Sequence, residues 1–529
     1  MDTIKQQLVE TVISGLDKAG FKFSGIVVSY PKVPAHGDYT TNAAMILAKS
    51  MGEQPMAMAS KLAAALNQEK FITSGQASVE IAEPGFINFK LSPSFVSQKV
   101  GEILSVKGDY GQSKLGQGKK IQVEFISANP TGPLTIGNGR GGFFGDVLGN
   151  LYAKCGYQVT KEYYINDAGK QVEALGHSVL KDDEAVYKGG YIDELHKKFK
   201  GKKDVFKIGQ QAAREILKNI LKKTIEREMR IKFDVWFSED RELRKTGKVA
   251  EVITCLKKEK LIYEKDGAWW FKSSDYGDSR DRVLVKSNGE TTYLAQDFAY
   301  LNNKFRERKF DKVIYVWGAD HHGDVAGLLN AAKVLGFEDR AEIILLQFVK
   351  LIKDGKEVRM SKRAGNYITM SELISMVGHD VARFMFLMYS PTTHIDFDLN
   401  LAQKKSDKNP VYYLQYAFAR ICSLLNQPET VKIKKLKKSV LLTCNDELAL
   451  AKEILKWPEI IEEAALNQRV QLITSYALSL ANLFHNFYDK CRVINHAEVN
   501  ISRVGLIKLT KKILLEVLKT IGVSSPKNM

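Results

Sequence analysis

Two loops of this chain carry residue types suited to handling a nucleoside triphosphate. The first reads Ala128-Asn129-Pro130-Thr131-Gly132-Pro133-Leu134-Thr135-Ile136-Gly137-Asn138-Gly139-Arg140, and the second Arg359-Met360-Ser361-Lys362-Arg363. When a carboxylate attacks the α-phosphate of ATP and pyrophosphate leaves, the protein need make no covalent bond. It must orient the triphosphate and stabilise the charge that grows on it. Backbone N–H groups at a helix N-terminus, mobile cations and the Mg²⁺ that travels with ATP suit that task. Thr135 and Asn138 can hydrogen-bond phosphate or ribose oxygens, and Gly137 lets an adenine approach the backbone. Ser361 and Lys362 follow a hairpin signal, Asp354-Gly355, and a cationic loop there can neutralise the leaving pyrophosphate. Between the loops lie Thr292-Tyr293-Leu294-Ala295-Gln296-Asp297 and Trp317-Gly318-Ala319-Asp320-His321-His322-Gly323. Asp297 and Glu124 are acids expected near one pocket, where they would suit a cationic group such as a guanidinium. Each feature also has an ordinary reading: a Gly/Pro-rich loop, a solvated basic turn, and a helix N-cap for Asp297.

Two decoys need weighing. Gly137-Asn138-Gly139-Arg140-Gly141-Gly142 matches a dinucleotide-binding fingerprint, and Glu162 stands twenty residues beyond it. That pattern would suit a nicotinamide- or flavin-dependent oxidoreductase. Its placement is poor, because the first glycine lies eleven residues past Ile126 and not directly after the strand. His321-His322 invites a metal, but adjacent histidines point apart and no third ligand is evident, so no metal site is expected.

The elements that must position these residues follow from periodicity. Ile121 to Ile126 alternates as a strand, Gly139 to Lys154 reads as a helix with Phe143, Val147, Leu148 and Leu151 on one face, and Tyr157 to Ile165 is a second strand. This order implies a parallel, doubly wound sheet that binds ligands at the carboxyl ends of its strands. Residues 182–265 read as a charged helical insertion. The α/β alternation resumes with strands at Val283 to Val285, Val313 to Val316 and Ile343 to Leu346. The fold class expected is thus α/β, with a Rossmann-like core over 121–400, an N-terminal α+β domain over 1–106 and a linker at 107–120. An all-helical bundle over 401–529 completes it, with no strand signal beyond Leu399.

Composition agrees with a soluble, multidomain chain. Its 529 residues are 44% apolar and carry a formal net charge of +17, which favours a polyanionic partner. Lys432-Ile433-Lys434-Lys435-Leu436-Lys437-Lys438 is the densest basic run. Five scattered cysteines, no apolar run of membrane length and an amphipathic N-terminus point to the cytoplasm, with no membrane partner.

The chain resembles the arginyl-tRNA synthetases, which are class I aminoacyl-tRNA synthetases, over nearly its whole length. The resemblance rests on His36 to Ala43, Pro84 to Phe89, Val123 to Leu134, Asp281 to Lys286, Tyr293 to Asp297 and Asn409 to Ala417. It implies that Glu124, Ser127, Asn129, Tyr293, Asp297 and His321 bind L-arginine. Pro133, Gly137, Gly139, Gly318, Asp320 and Met360 would lie by ATP, while Thr135, Asn138, Ser361 and Lys362 would act in catalysis. It further implies that the helical tail reads the anticodon of tRNA-Arg, that the N-terminal domain touches the tRNA's outer corner, and that arginine activation needs bound tRNA. A monomer is expected. The first loop departs from the family's His-x-Gly-His by reading Thr135-Ile136-Gly137-Asn138, as tryptophanyl enzymes do. A Lys that some members place upstream is here Gly132, and Lys362 is retained. That departure motivates a rival reading as a non-catalytic tRNA-binding paralogue.

Overall fold

The computed structural model describes residues 3–22, 25–105, 108, 110–358, 368–433, 440–495 and 498–529. At its centre is a five-stranded, all-parallel sheet in the order Ala341–Leu346, Lys312–Gly318, Lys120–Phe125, Gln158–Ile165, Val235–Ser238. The first strand in sequence lies in the middle. The chain winds out to one edge through two strands, then returns to build the other side. The two directions part between Lys120–Phe125 and Lys312–Gly318, where a doubly wound sheet opens a crevice at its carboxyl edge. Ile121, Val123 and Phe125 on one face and Gln122 and Glu124 on the other are all buried, the continuous burial of a strand covered on both faces.

The helix Ile136–Lys154 crosses one face of this sheet. Phe143, Val147, Leu148 and Leu151 are all buried, as their spacing predicts. Its glycines serve contact: a Cβ on Gly145 would lie 2.3 Å from Phe125 Cγ, so only glycine lets helix and strand approach this closely.

Three elements differ from the sequence expectation. Val235–Ser238, inside the range read as helical insertion, is the edge strand of the parallel sheet. Its four residues are too short to register against charged helical flanks on both sides. Arg282–Val285 is a strand as expected, but pairs antiparallel with Ala268–Phe271 in a separate three-stranded sheet. Periodicity marks a strand without naming its partner. The helical tail also contains a two-residue hairpin, Ile494–Asn495 with Glu498–Val499.

The N-terminal unit packs helices on a four-stranded antiparallel sheet ordered Val28–Ser29, Tyr39–Thr41, Phe86–Leu91, Ala77–Ala82. The last part of the chain is dominated by the helices Pro410–Leu425, Asn445–Leu455, Trp457–Leu466, Gln471–Lys490 and Ile501–Ile521. Buried polar groups join the units. Glu459 accepts from the Lys5 amide at 2.8 Å and from the Tyr30 hydroxyl at 2.5 Å. Arg383 pairs with Asp146 and donates to the Ile521 carbonyl, tying the core to the last helix.

Candidate active site

A cleft of about 650 Å³ opens at the carboxyl edge of the parallel sheet. Its lining includes Glu124, Ser127, Asn129, Thr135, Gly137, Asn138, Tyr293, Asp297, Gly318, Asp320 and His321. Residues spread over two hundred positions of sequence thus meet in one cavity. Pro133 and Gly139 are not among the lining residues. A Cβ on Gly139 would stand 2.2 Å from Met370 Sδ, so this glycine admits a neighbouring side chain and not a nucleotide. Met360, Ser361 and Lys362 lie outside the described residues, as do Lys434 to Lys438.

The end of the central strand is strained. Ile126 and Ser127 have φ of 66° and 39°, and the Ser127 amide donates to the Phe125 carbonyl at 2.9 Å across a three-residue turn. A β-branched residue in the left-handed region is a rare event, of the kind that clusters at functional sites. The turn leaves Glu124 facing the cleft, with the Ser127 hydroxyl near its Oε1 at 3.4 Å. Asn129 donates to Gln171 Oε1 at 2.9 Å, which also accepts from the Tyr187 hydroxyl at 3.2 Å.

Thr135 and Asn138 form a capping box. Thr135 Oγ1 accepts the Asn138 amide at 3.3 Å, and Asn138 Oδ1 accepts the Thr135 amide at 3.0 Å. Both oxygens are therefore committed to the helix, while the Asn138 Nδ2 protons and the first-turn amides of Ile136 and Gly137 remain as donors at the cleft. Thr135 also bridges Thr369, and Met370 donates its amide to the Leu134 carbonyl at 2.9 Å, so the chain just past residue 367 lies against the first loop. The hairpin before it has Asp354 and Gly355 at φ 51° and 73°, as the turn signal predicts.

Asp297 stands inside the helix Tyr293–Asn302, not at its cap; Thr292 holds that position. Burial, reinforced by the charge of Glu124, pushes its carboxyl up to about 8. Tyr293 is 62% exposed at the cleft mouth. His321 stands between Asp320 and Asp324, at 3.8 Å and 3.6 Å.

Several lining residues were given no role by the sequence, Arg140 among them although it closes the first loop. Arg140 is buried and donates to the carbonyls of Gln347 at 2.5 Å and Ser390 at 2.8 Å, and burial lowers its guanidinium to about 10. Asn166 and Gln171 follow the strand Gln158–Ile165, and Tyr164 is near its end. The rule that ligands gather at carboxyl ends of parallel strands points to this segment. The dinucleotide alternative fails on geometry. Its glycines lie along the helix Ile136–Lys154, and Glu162 is buried against Arg308 and Tyr300, unavailable to a ribose.

Among the described residues one group of side chains has the spacing to hold a metal ion: Cys444, Asp446 and Cys491, in the helical region and absent from the cleft lining. The two sulfurs are 3.5 Å apart despite a separation of forty-seven residues, a proximity the scattered cysteine positions concealed.

Family models match three stretches of the chain. Residues 2–91 match the arginyl tRNA synthetase N terminal domain, 99–385 the class I (R) tRNA synthetase catalytic domain, and 414–529 the DALR anticodon binding domain. The chain is 42% identical to the arginine–tRNA ligase of Desulfitobacterium hafniense, over all of this chain and 99% of that protein. It is 42% identical to that of Caldanaerobacter subterraneus, over 99% of each. The Thermus thermophilus arginyl-tRNA synthetase structure superposes over the full length of both chains with a TM-score of 0.76 at 21% identity. The Plasmodium falciparum arginyl-tRNA synthetase does so with 0.81 at 18%. At those identities the two structures speak for the fold alone. From the sequence agreement along its whole length, the chain belongs to the arginine–tRNA ligase family of class I tRNA synthetases.

Proposed function

We propose that this protein joins L-arginine to tRNA-Arg at the expense of ATP, through an arginyl-adenylate, releasing AMP and pyrophosphate. The observation that carries the residue assignments is the polarity of the cleft. One end has the carboxylates of Glu124 and Asp297; the other has the open N-terminus of the helix Ile136–Lys154. A guanidinium at the first end directs the substrate's own carboxylate toward the second, where backbone amides favour phosphate. Ser127, Asn129, Tyr293 and His321 surround the arginine in this reading. Gly137 and Gly318 give the adenosine close access to backbone, and the Asn138 amide group donates to the triphosphate. Lys362, with Ser361, is the cation assigned to the leaving pyrophosphate, on sequence alone. Mg²⁺ accompanying ATP takes hard oxygen ligands, and the exposed carboxylates of Asp320 and Asp324 beside the cleft are donors of that class. With Thr135 and Asn138 in place of two histidines, the Thr135 hydroxyl is spent on Asn138 Oδ1 at 2.9 Å, so Asn138 keeps a side-chain donor and neither residue adds charge.

A tRNA partner is supported by the net charge of +17 and by a stacked group on two helices of the tail. The Arg420 guanidinium lies 5.4 Å over the Tyr416 ring and 4.1 Å over Tyr488, and His485 stacks on Tyr416. Aromatic and guanidinium planes of this kind receive unpaired bases. The deciding experiment is arginine-dependent exchange of pyrophosphate into ATP, with and without tRNA-Arg. Exchange with arginine in the presence of tRNA is expected. Its absence under both conditions, in folded protein, refutes the enzyme reading and favours the non-catalytic paralogue.

A further inference from the structure

We infer that Lys304 is a positioning residue of the arginine site: its buried ammonium holds Glu124 in place as a fixed carboxylate, so that Asp297 alone is left for the substrate's positive charge. This inference rests on the functional reading above.

Four acidic side chains cluster at this end of the cleft, Glu124 and Asp297 in its lining and Glu162 and Glu239 buried outside that lining, and three have a dedicated cation. Glu162 is paired with Arg308, whose Nη1 lies 2.9 Å from Oε1. Glu239 is paired with Arg244 at 2.6 Å. Glu124 is paired with Lys304 at 2.6 Å, and the Lys304 side chain is 0% exposed. Asp297 has no ion-pair partner among the described residues. A substrate cation therefore completes a charge match that the protein has made at the other three.

The backbone places Lys304 for this purpose. Asp297, Tyr300 and Lys304 follow at intervals of three and four along one face of a helix that continues as a wider π-type turn over Asn303–Glu307. Such turns are frequent at functional sites. The Lys304 Nζ lies 3.8 Å from the Tyr300 ring centre and 3.9 Å from that of Tyr315, a cation enclosed by two aromatic faces and one carboxylate. It grips Glu124 through Oε2, which leaves Oε1 on the side of Ser127 and the cleft. Burial lowers the Lys304 pKa, while Glu124 and Glu162 oppose that shift.

Removing the ammonium takes away the cation bonded to Glu124 and leaves the Glu124 charge to act more strongly on Asp297, so the two acids compete to hold a proton. The groups facing Asp297 are Glu124, Lys304, Glu239, Asp324, Tyr164 and Tyr315. Lys304 is the cation among them, so its loss shifts arginine binding to higher pH.

The test is Lys304→Met in tRNA-dependent exchange, with arginine and ATP varied separately. The KM for arginine is expected to rise roughly 30-fold or more, as for a broken buried charge pair. The KM for ATP and kcat should stay within about threefold, and the pH profile of the arginine KM should move to higher pH. An unchanged arginine KM, or equal loss in both KM values, overturns the inference. Glu124→Gln alone and combined with Lys304→Met closes a cycle and keeps the test available if the single lysine variant folds poorly. Because Lys304 acts through Glu124, it should add nothing on the Glu124→Gln background. A further large rise in the double variant overturns the inference. Wild-type protein that shows no arginine-dependent exchange, with or without tRNA-Arg, overturns the functional reading itself, an outcome distinct from either variant result.

Discussion

Asp297 concentrates the chemistry of the cleft in one carboxyl group. Burial and Glu124 raise it to about 8, so at neutral pH it holds a proton that a guanidinium must displace. Arginine binding is therefore expected to release close to one proton near pH 7. Affinity should rise by up to about tenfold per pH unit and level off above the raised pKa. Calorimetry in buffers of different ionisation enthalpy measures that proton, and binding independent of pH between 6.5 and 9 would refute it. The sign for stability runs the other way. A carboxyl group raised in the folded state favours folding at acid pH, and that contribution is lost as pH rises toward 8. Asp297→Asn should consequently abolish tight arginine binding while raising the melting temperature above wild type at pH 9. The sequence marked Asp297 as an acid in a suggestive stretch, but its shift comes first from burial and then from Glu124, 173 positions away.

At the scale of elements, the helix Ile136–Lys154 carries both a structural and a proposed chemical duty at its first turn. The Thr135–Asn138 capping box commits two side-chain oxygens to that turn and sets the direction of its free amides. Thr135→Ala is expected to cost about 1 kcal/mol of stability. It should also lower the exchange rate and raise the KM for ATP, with the arginine KM little changed. Thr135→Ser keeps the cap oxygen and should restore most of both. Rescue of stability without rescue of rate would mean that the methyl group, not the cap, matters to ATP. Gly139 shows how an element-level reading can mislead. In the motif it resembles a phosphate-loop glycine, yet its absent Cβ makes room for Met370 from a distant helix.

Across the whole molecule, the catalytic sheet, the N-terminal unit and the helical tail are joined by hydrogen bonds such as those from the Lys5 amide to Glu459 and from Arg383 to the Ile521 carbonyl. A large polyanion spanning cleft and tail therefore meets a braced surface. Tyr416→Ala and Arg420→Ala should each weaken tRNA-Arg binding by about 1–3 kcal/mol, the worth of one stacked base. Filter binding measures this loss, and the KM values for ATP and arginine at saturating tRNA should stay near wild type. Normal tRNA affinity in both variants would remove this face from the interface. No described helix is long and apolar enough to cross a membrane.

The sequence by itself determined the class of the fold, the central strand and helix, the hairpin at Asp354-Gly355 and the residues of the two loops. Those features are local: alternation, helical spacing and turn chemistry act over a few neighbours, and the long motifs carry family identity. It did not reveal that Val235–Ser238 joins the parallel sheet, that Arg282–Val285 leaves it, or that Cys444 meets Cys491. Nor could it pair Glu124 with Lys304, Glu162 with Arg308 and Glu239 with Arg244. Strand partners and buried ion pairs are set by packing between distant segments. Only when the sheet closes do four acids and three cations come within reach, and only then does Asp297 become the one without a partner among the described residues.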